Sequence, residues 1–273
     1  FIFGGMENIT LTHNTDRTMH DQFSVPDVSS VGLVAHELAH QWYGDMLTTR
    51  NWANIWLNEG FATFLSRKYR ENKFGYDEGE YIRYREIMGY FGSNKRWFRP
   101  TVHNQYYVPI DLFDGHVYAK GSLILNMIHD YLGDDAFRRA IQYYTKKHQF
   151  SNVETQDLKK SIEVVTGQNL DWFFDQWVYN PGYPEYKVSW SFDQRNRTVE
   201  IKVEQEQDTT KTELFNMPID IRIDDDLHTI WIDKKEVVYE LPVEMRPKLI
   251  IFNAGMRVPC KVEFNKSISE WII

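Results

Sequence analysis

The chain lacks the features that mark several common classes. It has one cysteine, Cys260, in 273 residues. A single thiol closes no internal disulfide, which excludes a small disulfide-stapled scaffold. No apolar run reaches the roughly 18 residues that a membrane-spanning helix needs. The opening stretch, Phe1-Ile2-Phe3-Gly4-Gly5-Met6-Glu7-Asn8, has neither the basic leader nor the small-residue cleavage site of a signal peptide. Basic residues are in deficit, 31 Lys and Arg against 39 Asp and Glu, for a formal net charge of −8. That balance argues against a nucleic-acid partner, which would need a phosphate-neutralising surface.

What is present is a chain able to build a core. Hydrophobic residues make up 42% and aromatics 15%, well above the composition of a disordered segment. Residues 1–12 read as extended structure. Residues 27–46 read as a helix, with Val31, Val34, Ala35, Leu38, Ala39 and Trp42 at helical spacing and Asp27 or Ser29 as its cap. A second helix is expected from Leu57 to Glu71. Others are expected after the caps Asp114, Asp134 and Thr155, and a last one from Leu170 to Tyr179. Asn180-Pro181-Gly182-Tyr183-Pro184 then interrupts the chain, and the apolar period changes to two. Val199, Ile201 and Val203 alternate with polar residues, as do Ile219, Ile221 and Ile223. About seven short strands at this spacing predict a small β-sandwich. Helices first and strands afterwards make an α+β chain, with one domain over 1–182 and another over 183–273.

The chemistry concentrates in His36-Glu37-Leu38-Ala39-His40. Histidines four apart on a helix lie one turn above each other, so both imidazoles can reach one cation. Glu37 stands next to the first of them, positioned to take a proton from an activated water. A metal-free polar strip is the competing reading, but a buried His-Glu-His run without a metal would be costly. A catalytic zinc usually takes three protein ligands, and Asn58-Glu59-Gly60 on the next expected helix offers a third, Glu59.

The longer run "HELAHQWYGDMLTTRNWANIWLNEGFATF", with "GGMEN" before it, resembles the aminopeptidase N family of zinc peptidases. The resemblance implies a thermolysin-like, mainly helical catalytic domain, a single Zn2+, and peptides with a free N-terminus as substrates. It implies that His36, His40 and Glu59 bind the metal, that Glu37 is the general base, and that Glu7 pairs with the substrate ammonium. Gly4, Gly5, Met6 and Asn8 would belong to the substrate-binding strand edge, where a peptide adds by β-augmentation. Tyr118-Ala119-Lys120-Gly121 matches the family's Y-x-K-G segment, which implies an oxyanion role for Tyr118. Phe3 is expected to floor the pocket for the first residue, and Asp45 and Asn58 are candidates to orient the histidines. The family pattern further implies an upstream N-terminal domain as this chain's partner, which would make the chain an N-terminally truncated piece. A leukotriene-hydrolase-like epoxide hydrolase and a zinc endopeptidase are the alternatives among enzymes, and a non-catalytic interaction module is the alternative outside them.

Overall fold

The computed structural model describes residues 3–24, 27–264 and 266. The chain divides into two compact units, Phe1–Phe174 and Asp175–Ile273.

The first unit opens with a short hairpin. Strand β1 (Gly5–Met6) pairs antiparallel with β2 (His13–Asn14), Gly5 opposite Asn14 and Met6 opposite His13. The extended segment expected over 1–12 is thus only partly a strand. Phe1 and Ile2 lie outside the described residues, and Asn8–Leu11 is a turn closed by the Leu11 N–H on the Asn8 carbonyl at 2.8 Å. Helix α1 (Val31–Ala39) is much shorter than the 27–46 expected. Its cap position is Ser30; Ser29 contributes only a 3.3 Å bond from the Val31 N–H, and Asp27 caps nothing. After His40 the backbone tightens, and the Asp45 N–H reaches back to the His40 carbonyl at 3.0 Å, turning the chain into β3 (Leu47–Thr49). The buried face of α1 is not its apolar stripe. Val34, Leu38 and Trp42 are 47%, 55% and 48% exposed, while Glu37 is only 4% exposed.

Helix α2 (Trp56–Phe74) buries Trp56, Phe61 and Phe64. Helix α3 (Tyr76–Arg96) has no counterpart among the expected elements. Its buried residues include Arg83, Glu86, Tyr90 and Asn94, so it carries no clean apolar period. Next come α4 (Ala119–Leu132), α5 (Asp134–His148) and β4 (Ser151–Val153), which pairs parallel with β3. Helix α6 (Thr155–Thr166) ends at Gly167 and is followed by α7 (Asp171–Phe174). Thr155 does not cap α6. Glu154 does so together with Asp157, and the Thr155 hydroxyl instead donates to Asn54 at 2.7 Å and accepts from the Trp56 indole at 2.9 Å. Asp114 likewise does not cap α4, whose cap position is Tyr118.

The second unit begins with a π-helical turn, Asp175–Tyr179. Its strands are β5 (Glu185–Asp193), β6 (Thr198–Gln205), β7 (Met217–Ile223), β8 (Asp226–Ile232), β9 (Glu236–Pro242), β10 (Ile250–Phe252) and β11 (Lys261–Phe264). They form a four-stranded sheet in the order β11-β5-β6-β9 and a three-stranded sheet in the order β10-β7-β8. The period-two pattern has the expected effect. Val199, Ile201, Val203, Ile219, Ile221 and Ile223 are all buried. The Tyr186 ring of one sheet meets Phe252 of the other at 5.5 Å, edge to face.

Candidate active site

Every residue of the candidate site lies in the first unit. His36 and His40 project from α1 with their rings edge to face, 4.7 Å apart. Glu59 comes from the first turn of α2. Glu59 Oε2 is 3.2 Å from His36 Nε2 and 3.3 Å from His40 Nε2, and the two Nε2 atoms are 3.0 Å apart. A tetrahedral cation with bonds of about 2.0–2.1 Å would separate its ligands by about 3.3 Å. The three donor atoms therefore stand at nearly the spacing of one tetrahedral face. The His40 ring is held from behind, where Nδ1 lies 2.8 Å from the Tyr43 carbonyl and donates to it, leaving Nε2 to face the other donors. It is the Tyr43 carbonyl, not Asp45 or Asn58, that meets His40 Nδ1; Asp45 and Asn58 each have a buried side-chain oxygen without a hydrogen-bond partner among the described residues.

The electrostatics favour a cation at this point. Burial pushes the Glu59 carboxyl up, but hydrogen bonds from His36 and His40 outweigh it and hold the group at about 2. Burial pulls the His40 imidazole down, and the Glu59 hydrogen bond and charge more than reverse this, to about 9. A proton on His40 thus answers Glu59 as a metal would. Burial lifts the Glu37 carboxyl to about 7; the charge of His40 opposes the rise, and those of Glu7 and Glu59 add to it. A carboxylate in that range both accepts and returns a proton near neutral pH.

The glycine-rich opening is fitted to Glu37. A Cβ on Gly5 would fall 2.1 Å from Glu37 Oε1, so glycine here lets β1 lie against that carboxylate without displacing it. Gly4 is under no such constraint, since a Cβ there would make ordinary contact with Leu33 at 3.6 Å. Glu7 is brought to the site, with carboxylate oxygens of Glu7 and Glu37 and a ring nitrogen of His40 all within 4.8 Å of one another. Met6 is 37% exposed, and the Asn8 amide meets the His13 ring at 2.8 Å within the hairpin.

Tyr118 stacks on His36 with ring centres 6.0 Å apart. Burial and the neighbouring Glu59 charge hold its phenol protonated, well above the ordinary range. Its position is set from two sides. A Cβ on Gly121 would lie 2.9 Å from the Gly60 Cα, so α4 and α2 touch backbone to backbone just beyond Tyr118 and Glu59. Before it, Asp114 accepts from Arg99 at 2.6 Å and from the His116 ring at 3.0 Å, and the Tyr118 N–H donates to the Asp114 carbonyl at 3.2 Å. Arg99 and His116 are buried and escaped the sequence reading, because nothing in their spacing marks them.

Glu7, His36, Glu37, His40, Glu59 and Tyr118 line a cavity of about 1300 Å³. One wall is apolar, with Phe3, Trp52, Ile110 and Phe113; Phe113 lies 6.3 Å from Phe3 and 6.1 Å from Trp52, ring centre to ring centre. Two imidazoles and a carboxylate aimed at one point, beside a carboxylate that titrates near neutrality, are a donor set suited to a cation and to the activation of water. The family match agrees with this chemistry. Residues 1–177 match the Peptidase family M1 domain, and the chain belongs to that family.

Among its relatives, "Probable aminopeptidase 1" of Saccharolobus solfataricus is 31% identical over 258 residues, covering 88% of this chain and 31% of that protein. "Leucyl aminopeptidase" of the same organism is 30% identical, covering 89% of this chain and 32% of that protein. "Aminopeptidase N" of Lactococcus lactis is 35% identical over 162 residues, covering 56% of this chain and 19% of that protein. The chain thus spans about a third, or less, of the length of these curated relatives. The fold is similar to that of Legionella pneumophila aminopeptidase A, crystallised in complex with aspartic acid. The TM-score is 0.81 at 20% identity, covering 99% of this chain and 31% of that one.

Proposed function

We propose that this chain is the catalytic part of a zinc aminopeptidase, built as a thermolysin-like domain over 1–182 and a β-sandwich over 183–273. The observation that carries the reading is the spacing of His36 Nε2, His40 Nε2 and Glu59 Oε2, which fits a tetrahedral zinc, with Glu7 a few ångströms away in the same cavity. Zinc held by His36, His40 and Glu59 supplies the Lewis acidity that makes water a nucleophile near pH 7. Glu37 takes the proton from the attacking water and delivers it to the departing amine. The Tyr118 hydroxyl donates to the oxygen on which negative charge develops. Glu7 accepts the free ammonium of the first residue, and the edge formed by Gly4, Gly5, Met6 and Asn8 receives the peptide backbone. The aromatic wall at Phe3, Trp52 and Phe113 offers an apolar first side chain a place to bury. An N-terminal domain upstream in the same polypeptide is the partner this reading implies.

Glu7 is what separates this reading from a zinc endopeptidase or an epoxide hydrolase, since an internal peptide bond or an epoxide brings no ammonium to a carboxylate beside the metal. A non-catalytic module has no use for His36, Glu37, His40, Glu59 and Tyr118 in one cavity. The test is cleavage of an aminoacyl chromogenic substrate against its N-acetylated form. The free amine is expected to be strongly preferred, and Glu7→Ala to lower kcat/KM on it by about 10–100-fold with zinc content unchanged. Equal cleavage of both forms, or zinc loss in Glu7→Ala, would overturn the assignment.

A further inference from the structure

We infer that Gln41 is a positioning residue for Glu7, tying the amine-binding turn to the end of the helix that carries both histidines. The inference rests on the aminopeptidase reading and assigns the anchor's placement to a particular side chain. Gln41 directly follows His40, and its own backbone is fixed there by its N–H on the Leu38 carbonyl at 3.2 Å. Both ends of its side-chain amide are used. Nε2 donates to the Glu7 carbonyl at 3.0 Å, and Oε1 accepts the Thr10 N–H at 2.8 Å. One side chain therefore grips the turn on either side of Asn8 and Ile9. The amide orientation follows from its partners, because flipping it would set oxygen against carbonyl and NH2 against N–H.

Two features show that this turn needs holding. Thr10 has φ 60, in the left-handed region, where a β-branched residue is disfavoured by steric contact between its side chain and the backbone. Left to local preference, the turn would relax to another conformation and carry Glu7 with it. The Glu7 carboxylate also stands close to that of Glu37, and two like charges at this range repel until an ammonium arrives. The Asn8–His13 contact joins two residues of the hairpin itself and does not link the turn to α1. Gln41 provides that link, holding the turn against both effects.

The experiment uses the full chain, zinc-loaded, with an aminoacyl chromogenic substrate and its N-acetylated form. Gln41→Met keeps the length of the side chain and removes both hydrogen bonds. KM for the free-amine substrate is expected to rise about tenfold, kcat to change less than about threefold, and the preference for free over acetylated amine to fall about tenfold, since an anchoring contact acts in the ground state as well as the transition state. Zinc stoichiometry stays at the wild-type value. Adding Thr10→Gly, which removes the strain, is expected to restore a substantial part of the lost KM. If Gln41→Met fails to fold, Gln41→Glu keeps the acceptor for Thr10, loses the donor to Glu7, and is expected to raise KM in the same sense. An unchanged KM and amine preference in the substituted protein would overturn the positioning role and leave the aminopeptidase reading standing, as would a joint loss of kcat and zinc that Thr10→Gly does not relieve. A wild-type protein without free-amine preference would instead overturn the reading itself and the inference with it.

Discussion

Helix α2 carries two buried charged clusters, and they balance their charges in opposite ways. At its first turn, Glu59 meets His36 and His40, with Glu37 and Glu7 close by. Two turns further on, Arg67 lies 3.3 Å from Glu86, Arg83 lies 3.2 Å from Glu80, and Asn126 accepts from Arg67 at 3.0 Å and from Arg83 at 3.3 Å. The second cluster balances its charges internally, because each has an opposite charge beside it and Ser122 adds a hydrogen bond to Glu86 at 3.0 Å, although Arg67 Nε and Nη1 and Glu86 Oε1 lack hydrogen-bond partners among the described residues. The first has three carboxylates around two imidazoles, and a proton on His40 offsets only one of the three. Burial makes an unbalanced charge expensive, so the first arrangement calls for something from outside while the second does not. Counting charge distinguishes the two clusters, although residues of both line the same cavity.

The largest expected effects lie at the open cluster. Glu37→Gln is expected to lower kcat by about 10²–10⁴-fold with bound metal unchanged, whereas Glu59→Gln is expected to lose metal. Elemental analysis beside steady-state kinetics reads both, and full metal retention in Glu59→Gln would mean that the trio is not the binding set. At the closed cluster the effect moves to stability. Arg67→Met leaves Glu86 buried without its partner and is expected to cost about 3–5 kcal/mol in urea unfolding, with metal content intact. Removing both charges in Arg67→Met with Glu86→Gln is expected to recover most of that loss.

The smallest effect sharpens the rule with a charge that belongs to neither cluster. Lys120 is wholly buried, its ammonium has no hydrogen-bond partner among the described residues, and it sits 5.1 Å from the centre of the Tyr90 ring. Burial, then the charge of Arg99, brings it down from 10.5 to about 7. A base depressed in the folded state binds fewer protons there than in the unfolded chain. Stability should therefore rise as pH climbs from about 7 to 10.5. Lys120→Met is expected to stabilise the protein by about 1–3 kcal/mol at neutral pH, with the gain shrinking toward alkaline pH. Thermal melting from pH 6 to 10 would show it, and identical pH slopes in the two proteins would refute it.

The histidine pair could be read from sequence because its spacing is local, set by residue type and helical period together, whereas Glu59, on α2, was reached through its acidic position on the next expected helix and the family resemblance. The strands of the second unit were legible through local period as well, since Val199, Ile201 and Val203 alternate without interruption. Helix α3 was not, because its inner face is built of Arg83, Glu86 and Asn94, whose burial depends on partners from other helices. The apolar stripe of α1 misled in the other direction, since the surface it offers as core is largely exposed and the polar face is the one turned inward. Gln41, Arg99 and His116 were invisible because each acts through a hydrogen bond that folding alone brings within reach, and such a bond leaves no trace in residue spacing.

The Gly60–Gly121 contact works as a fixed ruler. With no side chain between the two helices, the approach of α2 to α4 near Glu59 and Tyr118 is set by main-chain contact, and a Cβ on either glycine would push the helices apart. The aromatic wall of Phe3, Trp52 and Phe113, by contrast, is built of side chains that substitution can resize. Substitutions that reshape the cavity are therefore expected to fall on that wall, and to leave the spacing of Glu59 and Tyr118 as it is.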